Sequence, residues 1–257
     1  MGIMPGAEPF AADGGSVGVV LSHGFTGATQ SMRPWAEALA AAGFAVELPR
    51  LPGHGTRWQD MNDTRWPDWY GEVERAFDRL RARCTEVFAA GLSMGGTLVL
   101  RLAEQRGTEV AGLVLVNPSL ATDRLDIKLV LPVLHRVVPS LKGIGSDIKK
   151  PNTTELAYDR TPLRAMHSLT KLWGLTRADL GRITAPMLLY RSAEDHVVEP
   201  VSSRVLIAGA PAGSVEERVL ADSYHVATLD NDAPTIFAGS VEWIRARSRL
   251  AEPGPTG

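Results

Sequence analysis

Short apolar runs and amphipathic stretches alternate along most of the chain. Residues 17–22 are a β-branched run ending at His23-Gly24, which predicts a buried strand. Residues 31–42 then show helical spacing, with Trp35, Leu39 and Ala42 on one face and Gly43 as the stop. Residues 44–48 predict the next strand, and 49–56 a turn-rich loop around Gly53-His54-Gly55. A long helix is predicted over 66–83, where Trp69, Val73, Ala76, Phe77 and Leu80 recur at helical spacing. Val87-Phe88-Ala89-Ala90 predicts a strand, 97–102 a helix, and 110–116 another continuous apolar strand closed by Asn117-Pro118. Near-continuous apolar strands alternating with helices indicate an α/β fold, a mostly parallel central sheet with helices on both faces.

The rhythm breaks at 119. Residues 119–175 carry Pro132, Pro139, Pro151 and Pro162 and few strand signals, although 125–138 is strongly apolar. This stretch is expected to be a cap inserted between sheet strands, with 1–118 and 176–250 forming the core. The alternation resumes with a strand at 186–190, a helix at 202–207, a strand at 215–220 and a helix at 234–247. The tail, 251–257, is expected to be disordered.

The most informative segment is Gly91-Leu92-Ser93-Met94-Gly95-Gly96, between a predicted strand and a predicted helix. It fits a nucleophile elbow. A side chain at Gly91 or Gly95 is expected to collide with neighbouring backbone, while the turn lifts the Ser93 hydroxyl to a helix N-terminus that favours an anion. Taken alone, the motif is equally compatible with a glycine-rich turn holding an incidental serine.

A serine hydroxyl needs a base, and the base an orienting anion. In sheets of this kind they follow in the order serine, acid, histidine. The acid is expected after the strand at 186–190, where Glu194 and Asp195 are candidates. Asp195 is favoured because it precedes Val197-Val198, where the chain turns toward the next helix. Of six histidines, only His225 lies in the loop after the last strand. His23 is assigned to holding the early loop, His54 to a turn, and His135 and His167 to the cap. His196 is expected to line the site beside the acid. The oxyanion is expected to bind the N–H groups of Met94 and of Phe25, in the loop His23-Gly24-Phe25-Thr26-Gly27.

Composition narrows the partners. The chain has 257 residues, 44% hydrophobic and 22% charged, with a net charge of −2, so no basic footprint for nucleic acid is present. There is no HExxH, CxxC or clustered acidic loop, so neither metal nor cofactor is expected. The single cysteine, Cys84, reads as a packed apolar residue. With no signal-peptide or bilayer-spanning pattern, the expected location is cytoplasmic, with weak peripheral membrane contact through the cap. Oligomeric state is left open.

The chain resembles the bacterial monoacylglycerol lipases and the related small carboxylesterases of the α/β-hydrolase superfamily, from about Gly18 to Arg247. The resemblance rests on 23–27 with Gln30-Ser31-Met32-Arg33, on the elbow and on 143–149. It extends to Glu155-Leu156-Ala157-Tyr158, 194–198 and 223–230. It implies hydrolysis of a glycerol monoester to glycerol and fatty acid. It further implies an apolar acyl tunnel walled partly by 125–138, contact of Glu155 with the glycerol hydroxyls, and a gate at Ile144. A carboxylate can accept hydrogen bonds from a diol, which agrees with that role for Glu155. Three other readings stay open: a broad esterase for short acyl chains, a hydrolase fold doing carbon–carbon bond hydrolysis, and a non-catalytic ligand-binding protein.

Overall fold

The computed structural model describes residues 2–143 and 145–248. The tail expected to be disordered and Ile144 lie outside the described residues. The strands are β1 (Phe10–Ala12), β2 (Val17–Ser22), β3 (Ala45–Leu48), β4 (Glu86–Leu92), β5 (Val110–Val116), β6 (Ser140–Lys142), β7 (Arg160–Pro162), β8 (Met187–Ser192) and β9 (Val215–Leu220). The helices are α1 (Arg33–Ala41), α2 (Trp58–Asp63), α3 (Trp66–Arg81), α4 (Met94–Arg106), α5 (Leu131–Leu134), α6 (Leu163–Asp179), α7 (Val201–Gly209) and α8 (Ala233–Arg247).

Seven strands form one sheet in the order β1-β3-β2-β4-β5-β8-β9. Only β1 runs antiparallel to its neighbour, so the sheet is mostly parallel as the apolar runs predict. Alternate residues of each strand feed two cores. Val20, Ala89, Leu113 and Leu189 face α3, α4 and α6, while Val19, Leu21, Val114 and Tyr190 face α1 and α8. Burial on both faces explains why these strands lack polar alternation. From β2 the chain first builds β3 on one side and then crosses to β4 on the other. The crevice at the carboxyl ends of β2 and β4 is therefore a topological switch point, where open α/β sheets bind ligands.

Between β5 and β8 the chain leaves the sheet. A turn of π-helix (Asp126–Val130) leads into α5. The segment returns through β6 and β7, a two-stranded antiparallel ribbon too short to register as a hydrophobic pattern. Helix α6 then runs across the expected boundary at 175. Its Leu169, Leu172 and Trp173 join the same core as α3 and α4. Cys84 is buried and free, packed against that core.

Leu98 is fully buried in α4, in the core shared with α3 and α6. Leu98→Ala is expected to cost about 2–5 kcal/mol, because the layers around it collapse only partly into the void. Urea unfolding measures it, and a loss well under 1 kcal/mol contradicts the packing described.

Candidate active site

Three backbones crowd together at the turn between β4 and α4. A Cβ on Gly91 would strike the backbone of Gly95, and one on Gly95 would strike the carbonyls of Ser22 and His23. Ser93 sits at the apex with φ 56° and ψ −120°, a conformation L residues rarely adopt. The surrounding bonds hold it there: Ser93 N–H donates to Val116 O at 3.0 Å, and Ser93 O accepts from Ser119 N–H at 3.1 Å. The serine caps the start of α4, so the Met94 N–H belongs to the helix's open first turn.

The loop after β2 approaches Ser93 closely. A Cβ on Gly24 would stand 3.4 Å from that of Ser93. His23 fixes this loop from beneath. Its Nε2 accepts from Leu51 N–H at 3.2 Å, so its Nδ1 carries the proton and donates to Gly24 O at 3.0 Å. Burial pulls the His23 pKa down to about 4, with help from Arg50 and against the bond to Gly24. His54 packs edge-on against His23, Trp69 packs against His54, and the Phe25 ring rests on Trp69.

The loops after β8 and β9 bring Asp195 and His225 together. His225 Nδ1 lies 2.8 Å from Asp195 Oδ2. The other carboxylate oxygen, Oδ1, accepts from Val197 N–H at 2.9 Å and Val198 N–H at 2.7 Å. Burial opposes ionisation of Asp195, but His225 and these amides outweigh it and hold its pKa low. Burial likewise lowers the His225 pKa, and the carboxylates of Asp195, Glu155 and Asp147 together raise it above the ordinary value. Glu194, the other acid considered, is exposed and reaches His196 instead.

Ser93 and His225 line one cavity of about 380 Å³. Its lining combines charged side chains, Glu155, Asp147, Arg124 and Lys142 among them, with apolar ones that include Ile127, Leu131, Leu134, Met166, Leu169 and Trp173. Glu155 is set in place by Gln30, whose Oε1 accepts from Leu156 N–H at 2.9 Å and whose Nε2 donates to Thr154 O at 3.2 Å. Its carboxyl lies where a Cβ on Gly27 would be, 2.5 Å from Oε1. Burial pushes the Glu155 pKa up to about 7, against His225 and the Ser31 hydroxyl, which favour the anion.

One expectation changes. His196 does not line the cavity. Its ring is exposed, held by Asp147 Oδ1 at 2.8 Å and Glu194 Oε1 at 3.2 Å, because its own turn aims it outward onto Tyr224. The 125–138 stretch walls the cavity in part, through Ile127, Leu131 and Leu134, while Leu125, Leu129, Val133 and Val137 point outward, 65–77% exposed. The sequence reading also missed Asn117. This residue has φ 44°; its Nδ2 donates to Ser192 Oγ and His225 O, both at 2.9 Å, and its Oδ1 accepts from Ser192 N–H at 2.8 Å. It joins the ends of β5 and β8 to the His225 loop. Asn-Pro directly after a buried strand was the available signal. Among the described residues no group of three or more His, Cys, Asp or Glu could hold a metal.

A strained serine elbow beside a buried carboxylate–imidazole pair, at the switch point of a mostly parallel sheet, defines an α/β-hydrolase. A family model described as serine aminopeptidase S33 (Hydrolase_4) matches residues 17–232, and the chain belongs to that family. It is 45% identical to the thermostable monoacylglycerol lipase of Bacillus sp. (strain H-257), over 94% of this chain and 96% of that one. It is 25% identical to a carboxylesterase of Bacillus subtilis (strain 168), over 92% and 96%. Among solved structures, one from work on the metagenome-derived lipolytic enzymes LipS and LipT superposes with a TM-score of 0.92 at 40% identity. It covers 95% of this chain and 100% of that one.

Keeping His23 neutral couples stability to pH. Its folded-state pKa is about 4 against an ordinary 6.5, so the unfolded chain binds the extra proton. The contribution is complete above pH 6.5 and falls by on the order of 3 kcal/mol as pH drops toward 4. Imidazole ¹⁵N spectra at pH 5.5 are expected to show His23 neutral and protonated on Nδ1. An imidazolium there contradicts the loop geometry.

Proposed function

We propose that the protein is a metal-independent serine esterase that hydrolyses monoacylglycerols through an acyl-enzyme. His225 takes the Ser93 proton while Asp195 orients the imidazole and stabilises its charged form. Ser93 Oγ attacks the ester carbonyl, and the N–H groups of Phe25 and Met94 receive the oxyanion. His225 then protonates the departing glycerol oxygen. The same histidine activates a water, which releases the fatty acid.

The observation that carries this reading is the cavity at Ser93, whose lining joins apolar side chains to the Glu155 carboxyl. In this reading the acyl chain packs against Ile127, Leu131, Leu134 and Met166, and the glycerol hydroxyls meet Glu155, all of which line the cavity. A carboxyl group there can accept from a diol, and a substrate lacking the diol leaves that acceptor without the bond. The similarity to the Bacillus monoacylglycerol lipase supports the same substrate class. The outward half of the 125–138 segment, with Leu125, Leu129, Val133 and Val137 exposed beside Arg136, supports transient contact with a lipid surface. No helix among the described residues is long and apolar enough to cross a membrane. The similarity to the Bacillus subtilis carboxylesterase favours a second reading, a broad esterase indifferent to glycerol.

Ser93→Ala is expected to lower turnover by roughly 10⁴- to 10⁶-fold and abolish fluorophosphonate labelling; near-native turnover ends the assignment. Glu155→Gln is expected to reduce kcat/KM on a monoacylglycerol by about 10- to 100-fold while sparing the ethyl ester of the same acid. Equal losses on both esters favour the broad esterase.

A further inference from the structure

One cap residue is hydrogen-bonded to the main chain of the proposed base. Asp147 stands between β6 and β7 and lines the cavity, its side chain only 11% exposed. Its Oδ2 accepts from His225 N–H and from His196 N–H, both at 3.1 Å. Its Oδ1 meets His196 Nδ1 at 2.8 Å, and its main-chain oxygen accepts from Val226 N–H at 3.1 Å. One cap residue therefore bonds the loop that carries Asp195 and the loop that carries His225. A second carboxylate reinforces the seam: Asp230 accepts from Lys149 and Lys150 N–H on the cap and from Tyr224 and Asn231 N–H on the His225 loop.

We propose that Asp147 is a positioning residue, which sets the His225 loop through its main chain and so ties the seating of the cap to the alignment of the base. This rests on the reading of His225 as base. A cap lifted at 147 removes the acceptor from the His225 amide. The histidine loop then keeps Asn117 on its carbonyl and Asp230 on the neighbouring amide of Tyr224, but loses the bond nearest the imidazole. Misplacing a catalytic group by about 1 Å can cost on the order of 100-fold in rate. Charge acts in the same direction. The groups facing the His225 ring are Asp195, Glu155 and Asp147, all acidic. Asp147 itself faces His225 and His196, the latter also bonded to Glu194. Removing the Asp147 charge leaves less to stabilise the imidazolium, so the acidic limb of the rate profile moves to lower pH.

The test compares Asp147→Ala and Asp147→Asn with the parent, on a monoacylglycerol. Final fluorophosphonate labelling counts competent sites. The pH profile of kcat/KM is measured in a Glu155→Gln background, so that Glu155 does not titrate. Asp147→Ala is expected to lower kcat per labelled site by about 10- to 100-fold with KM within about twofold. Asp147→Asn, which keeps an acceptor but no charge, is expected to lose less. Both are expected to shift the acidic limb downward. An Asp147→Ala enzyme with native kcat per labelled site overturns the proposal. So does one whose melting temperature falls while the limb stays in place, since that marks a residue that only seats the cap. His225→Ala run alongside separates the two readings. If it stays active, the base assignment is wrong; if it is dead while Asp147→Ala is unaffected, only the positioning role is wrong.

Discussion

Backbone crowding at the turn between β4 and α4 governs the site. Ser93 holds a strained conformation because the carbonyls of Ser22 and His23 press against Gly95, and the backbone of Gly95 presses against Gly91. The same crowding brings the loop after β2 to within van der Waals reach of the serine. Strain of this kind persists only where the surroundings over-determine it. Here they do: the parallel ladders on both sides of β4 hold the strand end that enters the turn, and buried α4 holds the exit.

From that point outward, polar groups appear where a strand ends and must be satisfied. Asn117, Ser192 and the His225 carbonyl exchange bonds across the ends of β5, β8 and the loop after β9. His23 does the same for the loop after β2. Each is buried, so each loses much if its partner leaves. The site stands on a floor of buried hydrogen bonds, and the segment between β5 and β8 is tied to the rest at a few places, notably Gln30, Tyr158, Asp147 and Asp230.

Much of this was legible in the residues because the chemistry sits at strand ends. Buried strands are the strongest hydrophobic signal in a parallel sheet, so Ser93, Asp195 and His225 could be placed by counting strands. The choice of Asp195 over Glu194 was also readable, since the chain turns at Val197-Val198 and the Asp195 carboxylate accepts those two amides. Other features carried no pattern. β1, β6 and β7 are three residues each, below any periodicity. The 125–138 segment is apolar on both sides, so its sequence does not say which side faces the cavity. His196 adjoins the acid in sequence, yet one step along a turn reverses the direction of the side chain. Asp147 and Asn117 act through backbone amides and carbonyls, which no residue-type motif reveals.

The cavity has one further consequence. Its lining includes Glu155 and Asp147, with Asp195 bonded to the His225 ring. An uncharged ester meets no repulsion there. A newly formed carboxylate is repelled by Asp147 and Glu155 and attracted by Arg124 and Lys142, which line the same cavity. In the proposed reaction the bond cleavage itself turns a guest indifferent to these charges into one that responds to them. Departure of the acid then depends on the balance of these charged side chains, and the reverse reaction, which must bring that anion back in, meets the same field.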